Sequence, residues 1–162
     1  MGLDQYFYYR NPGTEIEYDE YGYPDSHGIE VAYFRKHNPL HGWVEQKVLD
    51  GRQTNSEEIT IDIEQLAHLK HLCEQVLANP YRGPELLPSY QGFFFGSYEY
   101  DDWYLEKIQG IRDAIERVLV LITRGGVIEV EDYKNYNKET RKYEIEEREV
   151  IPGGTLYYVS SW

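Results

Sequence analysis

The segment Asp62-Ile63-Glu64-Gln65-Leu66-Ala67-His68-Leu69-Lys70-His71-Leu72-Cys73-Glu74-Gln75-Val76-Leu77-Ala78-Asn79-Pro80 decides the fold class. Its apolar positions Ile63, Leu66, Leu69, Leu72, Cys73, Val76 and Leu77 recur at steps of three and four, the signature of one helix face. Asp62 is the expected N-cap, and Gln65 three residues on completes a capping-box pattern. Asn79-Pro80 ends the helix, because the residue before a proline is pushed out of the α region. A second, longer helix is predicted over Asp101 to Arg124, with Leu105, Ile108, Ile111, Ile115, Val118, Leu119 and Ile122 as its stripe and Gly125-Gly126 as its stop. Two helices with one apolar face each must share a surface to cover.

That surface is expected from strands on either side of the helices. Leu3 to Tyr9 and Ile29 to Arg35 read as strands, separated by an acidic Tyr/Gly-rich loop over Thr14 to Gly28. Asn38 is the expected N-cap, and Pro39 the first position, of a helix running to about Leu49. Glu58 to Ile61 is a short strand. Tyr81 to Gln91 holds two prolines and reads as a loop, and Gly92 to Ser97 as a short buried segment. Val127 to Asp132 and Lys142 to Ile151 alternate as two strands with one wet face, joined by a turn over Asn135 to Arg141. Thr155 to Ser160 is the last strand. The prediction is a single α+β domain over 1–162: a mainly antiparallel sheet, two long helices on one of its faces, and a C-terminal hairpin extension.

Composition narrows the function classes. Net charge is −13, from 29 acidic and 16 basic side chains. Such a surface repels phosphates and anionic lipid, which disfavours direct nucleic-acid binding and membrane association. The lone Cys73 excludes an internal disulfide and suits a reducing compartment. Met1-Gly2-Leu3-Asp4 lacks a signal-peptide pattern, Tyr6 stands where myristoylation wants Ser or Thr, and no apolar run would span a bilayer. A soluble, cytoplasmic protein is expected. Tyrosine is over-used, with 17 residues beside five Phe and three Trp. Such rings favour binding surfaces, and Tyr18, Tyr21, Tyr23, Tyr98, Tyr133 and Tyr136 are expected there.

Chemical constellations are sparse. Glu64, His68 and His71 share a helix face, but it is the solvent face, and nothing else completes a metal site. Ser160-Ser161 lacks the glycines of a nucleophile elbow, Cys73 is a packing thiol, and no phosphate loop with its lysine exists. Asp101-Asp102 suits a helix start. The densest chemistry is Phe34-Arg35-Lys36-His37-Asn38-Pro39-Leu40-His41-Gly42-Trp43. A strand-to-helix turn of this kind aims cations and helix N–H groups at one point, which suits an anion or carboxylate.

Gly2-Leu3-Asp4, the F-R-K-x-N-x-L-H-x-W run, the GFFFGSxxYD-type segment from Gly92 to Asp101 with Tyr104, and the terminal Ser160-Ser161-Trp162 resemble a family of small phage and prophage proteins. Its members open with MGLDMYLY, carry WRKANAIHxWF and GFFFGSxxYD, and end in SSW. Here Phe34 replaces the family's Trp, Pro39 its Ala, and the Val127 to Ile151 hairpin is longer. The resemblance implies a phage accessory protein, with Asp4, Arg35, Lys36, Asn38, His41, Trp43, Tyr100, Asp101, Tyr104 and Trp162 as its polar and aromatic set. The expected site has Arg35 facing Asp101 or an anion, walled by Trp43, Tyr100 and Trp162.

The functional expectation is a non-enzymatic, cofactor-free anti-defence inhibitor that binds a bacterial host immune protein through an acidic, Tyr-rich surface. One alternative is a binder that sequesters a nucleotide-like immune signal, with Arg35, Lys36 and His41 on phosphate. A second is a hydrolase using His41 and Asp101 as an acid–base pair.

Overall fold

The computed structural model describes residues 2–92 and 94–162, so Met1 and Phe93 of the motifs above lie outside the described residues. Among the described residues the chain is α+β, with a four-stranded antiparallel sheet, two long helices and a separate two-stranded hairpin. The sheet is built from β1 (Asp4–Arg10), β2 (Ile29–Arg35), β3 (Ile59–Ile61) and β6 (Thr155–Ser161), in the order β2-β1-β6-β3. β1 pairs with β6 from Asp4↔Ser161 to Arg10↔Thr155, and with β2 from Asp4↔Arg35 to Tyr9↔Ile29, with a bulge at Phe7/Tyr8.

Strand alternation divides the sheet into two faces. Gln5, Phe7, Tyr9, Ile29, Phe34, Leu156 and Tyr158 point inward and are buried. Against them lie the apolar stripes of α2 (Ile63–Ala78) and α4 (Asp102–Arg124), whose Leu66, Leu69, Cys73, Val76, Ile108, Ile111, Ile115 and Val118 join the same core. Ile63, expected in the first stripe, is exposed instead, because it sits at the first helical position ahead of the packed turns. Helix starts follow the sequence: Asp62 and Gln65 form a reciprocal capping box, and Asp101 accepts from the Tyr104 amide at 3.1 Å. Gly125 closes α4 at φ 77°, a conformation that favours glycine.

Four local expectations need correction. Asn38 is not an N-cap: α1 (Asn38–Trp43) begins at Asn38 with His37 before it, and a π-helical turn, Val44–Val48, prolongs it. The expected loop after Asn79 contains a 3-10 turn, Pro80–Arg82, and α3 (Gly83–Leu86), each with a proline in its first two positions that presets φ. Gly92 to Ser97 is not a buried segment: Phe95 is buried, but Phe94 and Ser97 are exposed. Of the hairpin strands, β4 (Gly126–Asn137) runs longer than expected, whereas β5 (Lys142–Val150) stops one residue short; β4 keeps a half-buried face at Ile128, Val130 and Asp132, while β5 is exposed on both faces up to Glu149. β4 outlasts its predicted end because an irregularity between Asp132 and Tyr136, where Asp132 accepts from the Lys134 amide, absorbs the turn-forming residues. Its tip is held by Tyr133 and Tyr136 rings, both about 5 Å from that of Tyr143.

Candidate functional site

The buried half of the Arg35 to Trp43 motif is a hydrogen-bond relay. Gln5 enters it from the inner face of β1: its Nε2 donates to Tyr158 Oη at 3.2 Å and to the His37 carbonyl, and its Oε1 accepts the His37 amide. His41 has Nδ1 at 2.8 Å from Tyr158 Oη and Nε2 at 2.9 Å from Glu45 Oε2. Glu45 also accepts the Thr54 amide at 2.7 Å and the Tyr90 hydroxyl at 2.6 Å. A neutral imidazole satisfies this chain: Tyr158 donates to Nδ1, and Nε2–H donates to Glu45. Burial drives the same choice, pushing the His41 pKa down against the pull of Glu45, and pushing the Tyr158 hydroxyl up. His41, Glu45 and Tyr158 are all sealed from solvent.

Asn38 and Trp162 fasten the surrounding loops to this relay. The Asn38 side chain donates to the carbonyls of Phe95 and Ser97 and accepts the Tyr90 amide, so one buried amide holds both ends of the 90–97 loop. Trp162 donates its indole N–H to the Thr54 carbonyl at 2.8 Å and packs edge-on to Phe95. Trp43 is core, and Tyr104 is buried with its hydroxyl on the Leu87 carbonyl. Tyr100 stacks edge-on to Tyr104 and accepts the Ser89 amide.

The expected Arg35–Asp101 site is not assembled. Arg35 donates instead to Asp4, its register partner on β1, at 3.1 Å, and Tyr33 donates to the same carboxylate at 2.6 Å. Asp101 caps α4. Lys36 lies near Lys107 of α4, whose pKa falls through burial and the Lys36 charge. His41, placed beside Asp101 in the hydrolase reading and beside phosphate in the nucleotide reading, has both ring nitrogens engaged inside the core. Glu64, His68 and His71 are exposed, and among the described residues no three metal-ligating side chains converge.

A second polar and aromatic cluster lies on the outer sheet face, exposed at Tyr33 and Arg35, buried at Arg10 and half-buried elsewhere. Asp4, Tyr6, Tyr8 and Arg10 of β1 alternate outward, flanked by Glu30, Tyr33 and Arg35 of β2 and Tyr157 of β6. Tyr6 lies 5.4 Å from Tyr8 and 5.1 Å from Tyr33, ring centre to ring centre. The Arg10 guanidinium sits 4.6 Å over Tyr157 and donates to Glu58. The hairpin rises beside this face and leaves a cleft of about 560 Å³ lined by Tyr8, Glu30, Val130 and Tyr133. Burial, then the charge of Glu131, raises the Glu30 pKa. Tyr133 and Tyr136 are exposed as expected, as are Tyr18, Tyr21, Tyr23 and Tyr98. Sequence reasoning missed Tyr6, Tyr8, Glu30, Tyr33 and Tyr157, although the outward phase of Asp4-Tyr6-Tyr8-Arg10 is legible in the alternation of β1. The chain matches no protein-family model, no curated protein and no solved structure.

Proposed function

We propose that this protein is a non-enzymatic binding protein that docks a basic partner on the outer, tyrosine-bearing face of its sheet. The observation that carries this reading is the row Tyr6, Tyr8, Tyr33 and Tyr157 on a sheet face that neither long helix covers, in a chain of net charge −13. Rings with polar tips supply contact area at little rotamer cost, and a negative field draws a positive partner and sets its approach rate. The nucleophile candidates support a non-catalytic role. Cys73 is buried, its thiol pushed up to about 12 by burial, and Ser160 is buried too. Joined to the resemblance to phage and prophage proteins, this chemistry fits an anti-defence inhibitor that covers a basic surface of a host immune protein. It acts in the host cytoplasm, a reading supported by the free, buried Cys73. Among the described residues no helix is long and apolar enough to cross a membrane.

The test is affinity capture from defence-bearing cells, followed by titration of the recovered partner with the wild type and with Tyr6→Ala and Tyr33→Ala. The expected result is micromolar or tighter association that weakens with salt and is lost in both variants. Association that ignores salt, or that survives both substitutions, sinks the reading.

A further inference from the structure

The cleft between the outer sheet face and the hairpin has more specific chemistry than a negative surface. At about 560 Å³ it has room for a whole side chain and its flanking backbone. Two of its lining carboxylates, Glu30 and Glu131, have no hydrogen bond or ion pair with another described residue. They lie close enough for Glu131 to disfavour ionisation of Glu30, which is already partly desolvated. By contrast Glu146, which also lines the cleft, pairs with Arg148 at 3.5 Å. Two unpaired carboxylates beside aromatic walls repel each other until a cation sits between them.

The same face shows which cation fits. One strand position from the cleft, Arg10 lies over the Tyr157 ring and donates to Glu58. Tyr157 is the register partner of Tyr8, and Tyr8 is the partner of Glu30. A tyrosine and a glutamate thus serve twice on this face: Tyr157 and Glu58 hold the chain's own Arg10, while Tyr8 and Glu30, with the His27 ring 5.1 Å from that of Tyr8, hold no guanidinium among the described residues. A guanidinium suits such a place better than an ammonium, because its plane stacks on a ring while its edge forks to a carboxylate. Resting on the docking reading above, we propose that this cleft seats an arginine side chain of the protein partner, with Glu30 as acceptor and Tyr8 and Tyr133 as walls.

The probe is the blocked peptide (Gly-Arg)4, with (Gly-Lys)4 and a citrulline version as controls, titrated into the full chain and followed by backbone and carboxyl NMR. The expected result is shifts centred on Tyr8, Glu30 and Tyr133, a fall in the Glu30 pKa, and no response to citrulline. Glu30→Gln should weaken binding by about tenfold or more. Its melting temperature should be unchanged or higher, which separates lost binding from lost fold. Equal affinity for the lysine peptide, or full affinity in Glu30→Gln, overturns the arginine slot. If Glu30→Gln binds normally while Tyr33→Ala, outside the cleft, does not, the slot is wrong and the docking face stands. If neither variant weakens binding and the shifts map to the helices, both readings fall.

Discussion

His41 and Glu45, one helical turn apart, hold each other through a 2.9 Å hydrogen bond from which water is excluded. Glu45 collects three donors there, from His41, Thr54 and Tyr90, and so ties the π-helical turn to α1, to the loop nine residues on and to the distant loop at Tyr90. Glu45→Ala strands the His41 and Thr54 donors in the interior. The expected loss is about 3–5 kcal/mol, measured by urea unfolding, because a buried group deprived of its charged partner is costly. A loss under about 1 kcal/mol would show that solvent reaches the relay.

Acid should weaken the fold in a window set by histidine. Burial lowers the pKa of both His37 and His41 below the ordinary 6.5. The unfolded chain then binds protons that the folded chain refuses, so their contribution is complete above about pH 6.5 and declines as pH falls through it. Each histidine adds a slope of up to about 1.4 kcal/mol per pH unit. Glu30 acts in the opposite sense, since its raised pKa makes the folded state gain protons first. Unfolding measured from pH 7.5 to 5.5 should show the decline, flattened in His37→Gln and steepened in Glu30→Gln.

Arg35 and Asp101 should behave independently. Arg35 belongs to an exposed pair with Asp4, worth about 0–1 kcal/mol, while Asp101→Ala removes a helix cap, worth about 0.5–2 kcal/mol. The double variant should lose the sum within about 0.5 kcal/mol in thermal or urea unfolding. His68→Ala and His71→Ala, on the exposed side of α2, should each change stability by less than about 0.5 kcal/mol.

Gly154 is required for space rather than for a turn. A methyl group there would lie 2.0 Å from the Arg10 carbonyl oxygen and 2.8 Å from the Tyr9 ring. The Tyr9 hydroxyl also accepts the Gly154 amide at 2.8 Å. Gly154→Ala should therefore disturb the β1–β6 register and cost several kcal/mol, more than the roughly 1–3 kcal/mol expected for Tyr9→Phe. Equal costs in a urea titration would show that the backbone gives way cheaply.

Features decided by neighbours in the chain were legible in the sequence. The Asp62–Gln65 capping box, the Asp101 cap and the stripes of α2 and α4 need only residues three or four positions apart. The partners of Gln5 and Asn38 were not, because they are chosen by strand register and loop closure across much of the chain. The outer sheet face escaped for a different reason. β1 carries aromatic rings on both phases, Phe7 and Tyr9 inward, Tyr6 and Tyr8 outward, so hydrophobic alternation alone cannot tell core from surface. The Arg35 motif was read as a site because polar residues cluster there, whereas its amide and imidazole groups serve the interior.

The central place of β6 also sets an order of events during synthesis. β1 and β2 can pair as soon as both have emerged, but the other edge of β1 waits for Thr155–Ser161, and β3 has no neighbour in the sheet until then. Phe7, Tyr9 and the apolar flank of α2 are meanwhile exposed on a nascent chain whose sheet has no middle. Closure must join Asp4–Arg10 to Thr155–Ser161 across all the intervening chain, a slow, non-local step. A ribosome paused before Ser161 would therefore hold an adhesive intermediate, and a chaperone has its longest opportunity there.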